Sequence, residues 1–385
     1  MREVAVIGIG QTAIGKLKDQ RLRDLAVQAL NAAVQDAGLE QKPDALFVAN
    51  MLASRLNNQA HLGTLIADSV GWRGIEATTV EAACASGGSA FQVGVRAVAS
   101  GMVDVAAVCG VEKMTDALVN HTIAALAMAA DADYEGVHGV TFVGLNAMIM
   151  RRYMYEFNIP HEAFTNFSVN AHQNAINNPN AMFRKGITKD VYYQSPVISP
   201  PITRHDSSPI CDGAAAVILC PLDRVKDLST GQPIKVLASA TGTDSIATSD
   251  RRTLVELDGA KLSANKAYQQ AGLSPADIDV FELHDAFTII AAMSLEACGF
   301  APCGKGTELA QNGDIFIDGT IPVSTMGGLK ARGHPVGATG VYELVDLVTQ
   351  LRGDAGKNQV QNAEIGMAQN IGGTGATVVT HILGV

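Results

Sequence analysis

Residues 326–340 read Met-Gly-Gly-Leu-Lys-Ala-Arg-Gly-His-Pro-Val-Gly-Ala-Thr-Gly, and they place His334 in a tight, glycine-rich turn just before an apolar helix. Glycines in such a turn give the backbone freedom and let it approach a ligand closely. Packing alone does not explain a histidine at this position. We therefore interpret His334 as a candidate base for a nearby nucleophile.

A second segment of the same kind, residues 80–90, reads Val-Glu-Ala-Ala-Cys-Ala-Ser-Gly-Gly-Ser-Ala. It places Cys84 where a strand turns into a helix, and the N–H groups and partial positive charge of a helix N-terminus lower the pKa of a thiol. The alternative is a cysteine buried as a small hydrophobic side chain, which is the usual environment of a free cysteine. The local sequence leaves both interpretations open.

Both segments lead from a glycine-rich turn into a helix and then into a strand, which is a weak internal repeat. Strands alternate with helices along the whole chain. We therefore predict an α/β protein built from two related halves, residues 1–230 and 231–385. The predicted strands are Val4–Ile9, Ala45–Ala49, Val103–Val108, Ala214–Leu219, Ile234–Thr241 and Val280–Leu283, and the predicted helices are Leu22–Ala37, Ala260–Ala271 and Phe287–Ala297.

The first half contains a piece of different character, at about residues 115–205. It is enriched in Met, Asn, Tyr and His residues and has little strand pattern. One interpretation is an inserted loop domain that contacts substrate. The other is an ordinary helical insertion that covers the core, and the sequence favours neither.

The composition excludes several classes of protein. The chain has 385 residues, of which 47% are hydrophobic and only 17% are charged. Charged residues usually make up about a quarter of a soluble domain, so this surface is sparse in charge or partly covered. The formal net charge is -10 and no basic run is present, which argues against nucleic-acid binding.

The six cysteines include no CxxC pair, which indicates reduced thiols and argues against a disulfide framework or a zinc site. The chain starts directly on a strand-like run. Its longest uncharged stretch, residues 365–385, carries glycines and polar residues. We therefore expect a cytoplasmic protein with no signal peptide, membrane span or bound metal.

Three weaker motifs have both a functional and a structural explanation. Residues 8–13, Gly-Ile-Gly-Gln-Thr-Ala, match a relaxed dinucleotide-binding pattern. The next strand ends at Asn50 without the acidic residue that a ribose needs, so we favour a structural turn. His284 and Asp285 could donate to a substrate oxygen or form a structural pair. Residues 370–375, Asn-Ile-Gly-Gly-Thr-Gly, could line an oxyanion site or form a tight turn.

Together these segments resemble the thiolase superfamily, and the resemblance runs in order over essentially the whole chain. The motifs are Gly8-Ile-Gly10-Gln-Thr, Glu81-Ala-Ala-Cys84-Ala-Ser-Gly-Gly, Gly110-Val-Glu-Lys-Met114, Cys211-Asp-Gly213-Ala-Ala-Ala, His284-Asp-Ala-Phe287, Gly333-His334-Pro-Val-Gly337-Ala-Thr-Gly340 and Gly372-Gly-Thr-Gly375. The His-Asp-x-Phe motif stands in place of Asn-Glu-x-Phe. It is similar to the branch that includes sterol-carrier-protein-X thiolases and archaeal acetoacetyl-CoA thiolases, and residues 113–115 and 371–375 resemble the archaeal kind.

The resemblance implies a five-layered αβαβα fold with an inserted loop domain, usually at least dimeric, that acts on acyl-CoA. Cys84 would accept the acyl group as a thioester, and His334 would activate Cys84 and help to bind a thioester oxygen. His284 would belong to the same oxyanion site, and the backbone N–H groups of Cys84 and Gly372 would form a second one. Ser208 matches a position that contacts pantetheine. No cofactor is implied beyond the coenzyme A thioester that serves as substrate.

One departure concerns the second cysteine, which thiolases use as acid and base for the α-proton. The two positions where that cysteine is expected hold Ala286 and Asn370 here. A helical stretch of about 18 Å separates Ala286 from Cys298, which is too far unless the chain turns back. Either His334, His284 or an unassigned group handles the α-proton, or the carbon–carbon step is altered or lost.

Three functions remain open from the sequence. The first is an acyl-CoA C-acyltransferase that forms or cleaves acetoacetyl-CoA with ping-pong kinetics through an acyl-enzyme on Cys84. The second is a retro-aldol or other acyl-CoA lyase, suggested by Ala286. The third is a thiolase-fold subunit that binds acyl-CoA without turnover. The resemblance also implies a homodimer or homotetramer, with hydroxymethylglutaryl-CoA synthase and an OB-fold, zinc-ribbon protein as partners.

Overall fold

The computed structural model describes residues 2–385. The strands are β1 (Val4–Gln11), β2 (Ala45–Ala49), β3 (Glu76–Val80), β4 (Ala106–Glu112), β5 (Val197–Ser199), β6 (Ile202–Thr203), β7 (Gly213–Pro221), β8 (Ile234–Thr243), β9 (Val280–Leu283), β10 (Ile365–Gly372) and β11 (Thr377–Gly384). The helices are α1 (Leu22–Ala37), α2 (Ala53–Leu56), α3 (Leu62–Ser69), α4 (Ser86–Ser100), α5 (Val119–Leu126), α6 (Phe142–Phe157), α7 (Thr165–Ala175), α8 (Lys189–Tyr193), α9 (Val225–Leu228), α10 (Asp258–Ala271), α11 (Thr288–Ala297), α12 (Gly306–Asn312) and α13 (Thr339–Leu351). A π-helical turn, Gly328–Arg332, lies shortly before α13.

Within residues 2–385, nine strands form one hydrogen-bonded sheet in the order β3-β2-β4-β7-β1-β8-β11-β10-β9. At one end β2 runs parallel to β3 and β4, and β7 and β1 follow as antiparallel strands. The other end repeats this pattern, because β9 and β10 are parallel and β11 and β8 are antiparallel. The two ends join where Ala5 and Val6 of β1 pair with β8. The predicted internal repeat is therefore confirmed as two related halves of the sheet.

Helices pack on the outer faces of both halves and between them. Helices α1 and α3 contact strands of the first half, and α10 contacts β8 and β11 of the second half. Helices α4 and α13 contact each other and strands of both halves, so they form a central layer. The described chain thus has the five layers αβαβα that the motifs predicted.

The central layer has little room for charge or for large side chains. Every residue of α13 except Thr349 is buried, as expected for a helix that is surrounded by protein on all sides. At the start of the two helices, a Cβ on Gly87 would lie 2.8 Å from the backbone nitrogen of Gly340. This buried layer accounts for much of the low charge content of the chain.

Several predicted elements have the observed bounds. The helix Leu22–Ala37 and the strands Ala45–Ala49 and Val280–Leu283 begin and end as predicted. Gly38 ends the first helix in the left-handed conformation, with φ of 62°. A glycine commonly follows the last residue of a helix, and for this reason the end of α1 could be predicted from the sequence.

The strand predicted at Val103–Val108 lies instead at Ala106–Glu112. The carboxylate of Asp44 accepts hydrogen bonds from the backbone N–H groups of Asp104 and Val105, each at 2.9 Å. Because these N–H groups bond to a side chain, the ladder starts only at the next residue. The apolar run predicted the strand but not the side chain that displaces its beginning.

The motif at residues 8–13 is neither a dinucleotide site nor a turn. Gly8 and Gly10 lie within β1, which packs against α1. A Cβ on Gly10 would lie only 2.3 Å from the carbonyl oxygen of Ala29 in α1. The glycines therefore permit close packing of strand and helix, which corrects the structural turn that we favoured.

The insertion at about residues 115–205 consists mainly of helices α5 to α8, with the short strands β5 and β6. It is a helical insertion, and it also supplies most side chains of the large cavity described below. The two interpretations of this piece are therefore compatible.

The division between residues 230 and 231 stays a prediction, and it falls in the connection between β7 and β8.

Two features bear on the environment of the protein. No helix in the described part of the chain is both long and apolar enough to cross a membrane. All six cysteines are free thiols, of which Cys303 is exposed and the other five are buried.

Replacing Gly10 tests the close contact between β1 and α1. We expect Gly10→Ala to lower the free energy of unfolding by about 1–3 kcal/mol, because the methyl group must displace helix backbone. Gly15→Ala is the matched control, because a Cβ there meets only the side chain of Leu17 at 3.9 Å. We expect it to change stability by less than about 0.5 kcal/mol in urea unfolding. Equal midpoints for the two variants would contradict the contact.

Candidate active site

Cys84, His284 and His334 come together at the centre of the molecule. Cys84 lies in the turn between β3 and α4, His284 directly follows β9, and His334 lies shortly before α13. The sulphur of the cysteine and one nitrogen of each histidine all lie within 4.8 Å of one another. Because the first turns of α4 and α13 are in contact, residues far apart in the sequence meet here.

The turn that carries Cys84 is held by polar side chains on both sides. Ala83 has φ of 51°, in the left-handed region that alanine rarely adopts. Its backbone N–H donates to the carboxylate of Glu81 at 2.7 Å, and its carbonyl accepts from the hydroxyl of Ser86 at 2.6 Å. Strained backbone of this kind persists where the surroundings hold it, and it is frequent at functional sites.

The thiol of Cys84 is protonated near neutral pH. Burial, followed by the nearby carboxyl group of Glu112, raises the pKa of Cys84 to about 12. The backbone N–H groups of Gly373 and of Cys84 itself act in the opposite direction. Of the two interpretations left open by the sequence, the structure shows a buried thiol whose pKa is not lowered, because desolvation of a thiolate outweighs the helix N-terminus. A base must take the proton when this thiol attacks.

His334 has the geometry and charge state of such a base. Its backbone N–H donates to the sulphur of Cys211 at 3.0 Å, and its Nδ1 lies 2.6 Å from the hydroxyl oxygen of Thr339. The first bond fixes the backbone of His334 and the second fixes its imidazole ring. The Nε2 atom of the ring remains available to the other site residues. Burial, assisted by the charge of Arg332, lowers the pKa of His334 to about 3. The imidazole is therefore neutral near pH 7 and can accept a proton.

His284 is held by Asn370, one of the residues at an expected cysteine position. The amide oxygen of Asn370 accepts from the backbone N–H of Gly88 at 3.0 Å, which leaves its nitrogen 3.2 Å from Nδ1 of His284. The amide nitrogen can only donate, so Nδ1 accepts and the ring hydrogen lies on Nε2. Burial and the neighbouring His334 keep the pKa of His284 well below its ordinary value. His284 therefore presents a neutral N–H donor.

Glu343 is a site residue that the sequence analysis missed. One of its carboxyl oxygens lies 3.4 Å from Nδ1 of His284, and both side chains are buried. Burial raises the pKa of Glu343 well above its ordinary range, which favours the protonated carboxyl group. Neither oxygen has a hydrogen-bond partner among the described residues. A glutamate inside the apolar run of residues 339–351 was the signal that could have found it.

Neither expected position of the second cysteine supplies an acid or a base. Ala286 lines the cavity and Asn370 holds His284. Cys298 accepts a hydrogen bond from the side chain of Gln369 at 3.1 Å, and Cys303 is exposed. These two cysteines are not among the described residues that line the cavity. Among the described lining residues, the cavity therefore contains no cysteine besides Cys84.

The glycine-rich turn after β10 brings Gly373 next to Cys84. Its backbone N–H acts to lower the pKa of Cys84, so it favours the thiolate form. Gly372 is the last residue of β10 and pairs with Thr377 of β11. The predicted role of Gly372 as an oxyanion donor stays a prediction, and Gly373 is a second candidate for this role.

A cavity of about 1130 Å³ opens onto the three residues. Much of its lining is apolar and comes from the insertion and the loop after it, including Leu118, Val119, Ile123, Leu126, Phe142, Val143, Met182, Phe183, Ile198 and Ile210. Among the described residues, the lysine and arginine side chains of the lining have no acidic counterpart, and they are Lys16, Lys18, Lys185, Arg204 and Lys330. The cavity therefore suits a long ligand that carries negative charge.

Ser208 also lines this cavity, and its backbone N–H donates to the carbonyl of Ala286 at 2.9 Å. This hydrogen bond joins the loop after β6 to the residues that follow β9. The predicted contact of Ser208 with pantetheine stays a prediction.

The thiol of Cys84 and the imidazoles of His284 and His334 are also ligands that Zn²⁺ accepts. The expectation of no bound metal stays a prediction.

Comparison with known proteins identifies the family. Residues 4–223 match the family model described as "Thiolase, N-terminal domain", and residues 240–385 match the one described as "Thiolase C-terminal domain-like". The chain therefore belongs to the thiolase family, as its motifs predicted.

Relatives and solved structures agree with this assignment. The chain is 47% identical over 383 residues to a protein named acetyl-CoA acetyltransferase from Methanothermobacter thermautotrophicus, with 99% of each chain covered. It is 39% identical over 393 residues to a protein of the same name from Methanocaldococcus jannaschii, with 100% of this chain and 99% of the relative covered. A solved structure named Ltp2-ChsH2(DUF35) aldolase shares the fold, with a TM-score of 0.87 at 24% identity over 100% of this chain and 98% of that one. The predicted similarity to archaeal members of the family is confirmed.

The protonated state of Cys84 can be tested by alkylation. We expect its reaction with iodoacetamide to accelerate about tenfold per pH unit between pH 7 and pH 9, because the thiolate fraction rises with pH well below a pKa of about 12. Peptide mapping by mass spectrometry separates Cys84 from the exposed Cys303. A rate that levels off below pH 8 would reveal a stabilised thiolate and contradict the expectation.

Proposed function

We propose that this protein is an acyl-CoA C-acyltransferase of the thiolase type, which forms or cleaves acetoacetyl-CoA through an acyl-enzyme on Cys84. One observation carries the proposal: a thiol, a neutral imidazole base and an imidazole N–H donor lie within 4.8 Å of one another beside a cavity of about 1130 Å³. The names of the archaeal relatives support acetyl-CoA as the substrate.

The first half-reaction transfers an acyl group from coenzyme A to Cys84. The sulphur attacks the thioester carbonyl while His334 accepts the thiol proton. A carbon–sulphur bond to Cys84 forms and the bond to coenzyme A breaks, and His334 returns the proton to the departing thiolate. Because the thiol is protonated at rest, the base is needed in every cycle.

Two sets of donors would stabilise the oxyanions of the two half-reactions. The Nε2–H group of His284, together with His334, would face the oxygen of the acyl-CoA that supplies the nucleophilic carbon. The backbone N–H groups of Cys84 and of Gly372 or Gly373 would face the oxygen of the acyl group on the sulphur. Donors that are fixed in place before the reaction lower its barrier without reorganisation.

Lys16, Lys18, Lys185 and Arg204 would bind the phosphates of coenzyme A, and the apolar walls of the cavity would contact the pantetheine arm. Ser208 would contribute to the same arm. The thioester is then the substrate, and the proposal includes no further cofactor, bound metal or nucleic acid. The cytoplasm is the proposed location, because it keeps thiols such as Cys84 reduced.

A larger assembly is part of the proposal. Strand β3 lies at the end of the described sheet, where one of its edges remains open to a second copy in a homodimer or homotetramer. The solved structure of similar fold is named as an aldolase with ChsH2(DUF35), which supports proposing a partner protein. Hydroxymethylglutaryl-CoA synthase and an OB-fold, zinc-ribbon protein are the partners that we propose.

A lyase is the second candidate, because Ala286 stands in the cavity where a catalytic cysteine was expected. The similarity of fold to a protein named as an aldolase agrees with this alternative. The two reactions differ in their need for a nucleophile. A retro-aldol cleavage does not pass through an acyl-enzyme, so it would continue without Cys84.

Thiolysis of acetoacetyl-CoA by coenzyme A, followed as the loss of enolate absorbance, tests the proposal. We expect turnover by the native protein and a decrease of at least about 10³-fold in Cys84→Ala, because the nucleophile is removed. Cys303→Ala is the matched control, since it removes an exposed thiol outside the cavity. It should retain native activity.

Intact-mass analysis after exposure to acetyl-CoA separates the remaining alternatives. An acetyl group that appears on Cys84 and leaves on addition of coenzyme A supports the acyltransferase. A stable adduct that coenzyme A does not remove would indicate a subunit without turnover. Cleavage of an acyl-CoA that persists in Cys84→Ala would indicate the lyase.

A further inference from the structure

Lys330 is a buried lysine next to the site, and the mechanism above does not use it. Only 2% of its surface is exposed, and it lies in the π-helical turn Gly328–Arg332, shortly before His334. Its Nζ donates to the backbone carbonyl of Asp206 at 2.6 Å. Among the described residues, no carboxylate lies within ion-pair distance of this amino group. A lysine is rarely buried without such a partner, so its position calls for an explanation.

Two hydrogen bonds and a short segment of chain link the amino group of Lys330 to the position of the missing cysteine. The carbonyl that it contacts belongs to Asp206, two residues before Ser208, whose N–H donates to the carbonyl of Ala286 at 2.9 Å. Lys330 and Ala286 line the same cavity as Cys84. The structure thus places a basic side chain in the cavity that residue 286 lines, where the sequence lacks the expected cysteine.

The surroundings of Lys330 favour a readily deprotonated amine. Burial lowers the pKa of Lys330 to about 8, while Asp285 and Asp206 act in the opposite direction. His172 and His205, which line the same cavity, also face its charge, and their pKa values are lowered mainly by burial. A lysine with a lowered pKa is a common general base.

The histidines of the site are less suited to remove an α-proton. His334 serves Cys84 in the first half-reaction. The Nδ1 of His284 accepts a hydrogen bond from Asn370, so its Nε2 already carries a hydrogen. Lys330 is a buried basic group of the same cavity, and hydrogen bonds through residues 206–208 link it to residue 286.

We propose that Lys330 replaces the second cysteine of the family and transfers the α-proton in the carbon–carbon step. This inference rests on the proposed function, and it names the group that the sequence left unassigned. The π-helical turn serves this role because it directs Lys330 towards the cavity. Arg332, from the same turn, instead pairs with Asp346 in the core.

In the direction of condensation, the proton passes from the substrate to Lys330 and then to Cys84. The neutral amine of Lys330 takes a proton from the α-carbon of acetyl-CoA, so a C–H bond breaks and an N–H bond forms. The α-carbon then attacks the carbonyl of the acetyl group on Cys84. A carbon–carbon bond forms, the bond between carbon and the Cys84 sulphur breaks, and the ammonium group returns the proton to that sulphur. Acetoacetyl-CoA leaves and the enzyme regains its starting state.

Two half-reactions measured separately test Lys330. Acetylation of Cys84 by acetyl-CoA is followed by intact mass, and α-proton removal is followed as the loss of deuterium from methyl-deuterated acetyl-CoA to water. We expect Lys330→Ala to acetylate Cys84 within about threefold of the native rate. Deuterium loss and acetoacetyl-CoA formation should fall by about 10²–10⁴-fold, the usual contribution of a general acid or base.

The variant Lys330→Arg distinguishes two roles of Lys330. In one role Lys330 transfers a proton, and in the other its positive charge only binds substrate or stabilises packing. Arginine keeps the charge but stays protonated, so we expect this variant to lose deuterium exchange as Lys330→Ala does. Methylamine added to Lys330→Ala should restore exchange, because it supplies the missing amine. The native exchange rate should rise with pH and level off above about pH 8, as the amine loses its proton.

Exchange at the native rate in Lys330→Ala, or full activity in Lys330→Arg, would overturn the inference. Equal loss of both half-reactions without rescue by methylamine would also overturn it and indicate a structural role. If the native protein itself neither acetylates Cys84 nor turns over, the proposed function fails instead. The two failures are therefore distinguishable.

Discussion

The contact between the first turns of α4 and α13 is the constraint on which the rest of the site depends. Gly87 and Gly340 approach so closely that a side chain on either would collide with the backbone of the other helix. Cys84 lies just before one helix and His334 just before the other. A contact that only glycine permits therefore brings the thiol and the base of the site together. The two halves of the sheet enclose this pair of helices on both sides.

Burial in this central layer sets the protonation states of the site. A charged form is costly where water is excluded, so Cys84 and Glu343 keep their protons and both histidines stay neutral. The first half-reaction then consists of proton transfer between Cys84 and His334, which both start without charge. A polar site of this kind works only when its donors and acceptors are held in place, as Asn370 does for His284.

One ion pair lies in the core close in sequence to the site residues. Arg332 is fully buried, forms an ion pair with Asp346 and lies over the ring of Tyr342, 5.4 Å from its centroid. Removal of one partner of a buried pair leaves an uncompensated charge and destabilises a protein strongly. Lys330 lies two residues before Arg332 in the same π-helical turn. This turn therefore directs Lys330 to the cavity and Arg332 into the core.

Much of the architecture was predictable because its signals are local. The helix Leu22–Ala37 followed from its amphipathic pattern and the glycine after it, and Cys84 and His334 followed from glycine-rich turns. The errors arose where a distant side chain intervened. Asp44 bonds to the backbone before β4 and delays the start of that strand, and Glu343 joins the site from within an apolar helix.

By itself, the sequence determined the repeated α/β pattern of the two halves and the family. It also determined the candidate nucleophile and the candidate histidines. These features follow from periodicity, turns and motifs, which are properties of neighbouring residues. Only the tertiary structure decided the protonation state of each catalytic side chain. It showed that burial outweighs the helix dipole at Cys84 and that Asn370 directs the hydrogen of His284. It also placed Lys330 and Ala286 in the lining of one cavity. Desolvation and hydrogen bonding depend on atoms from segments far apart in the chain, and no local pattern records which of them will meet.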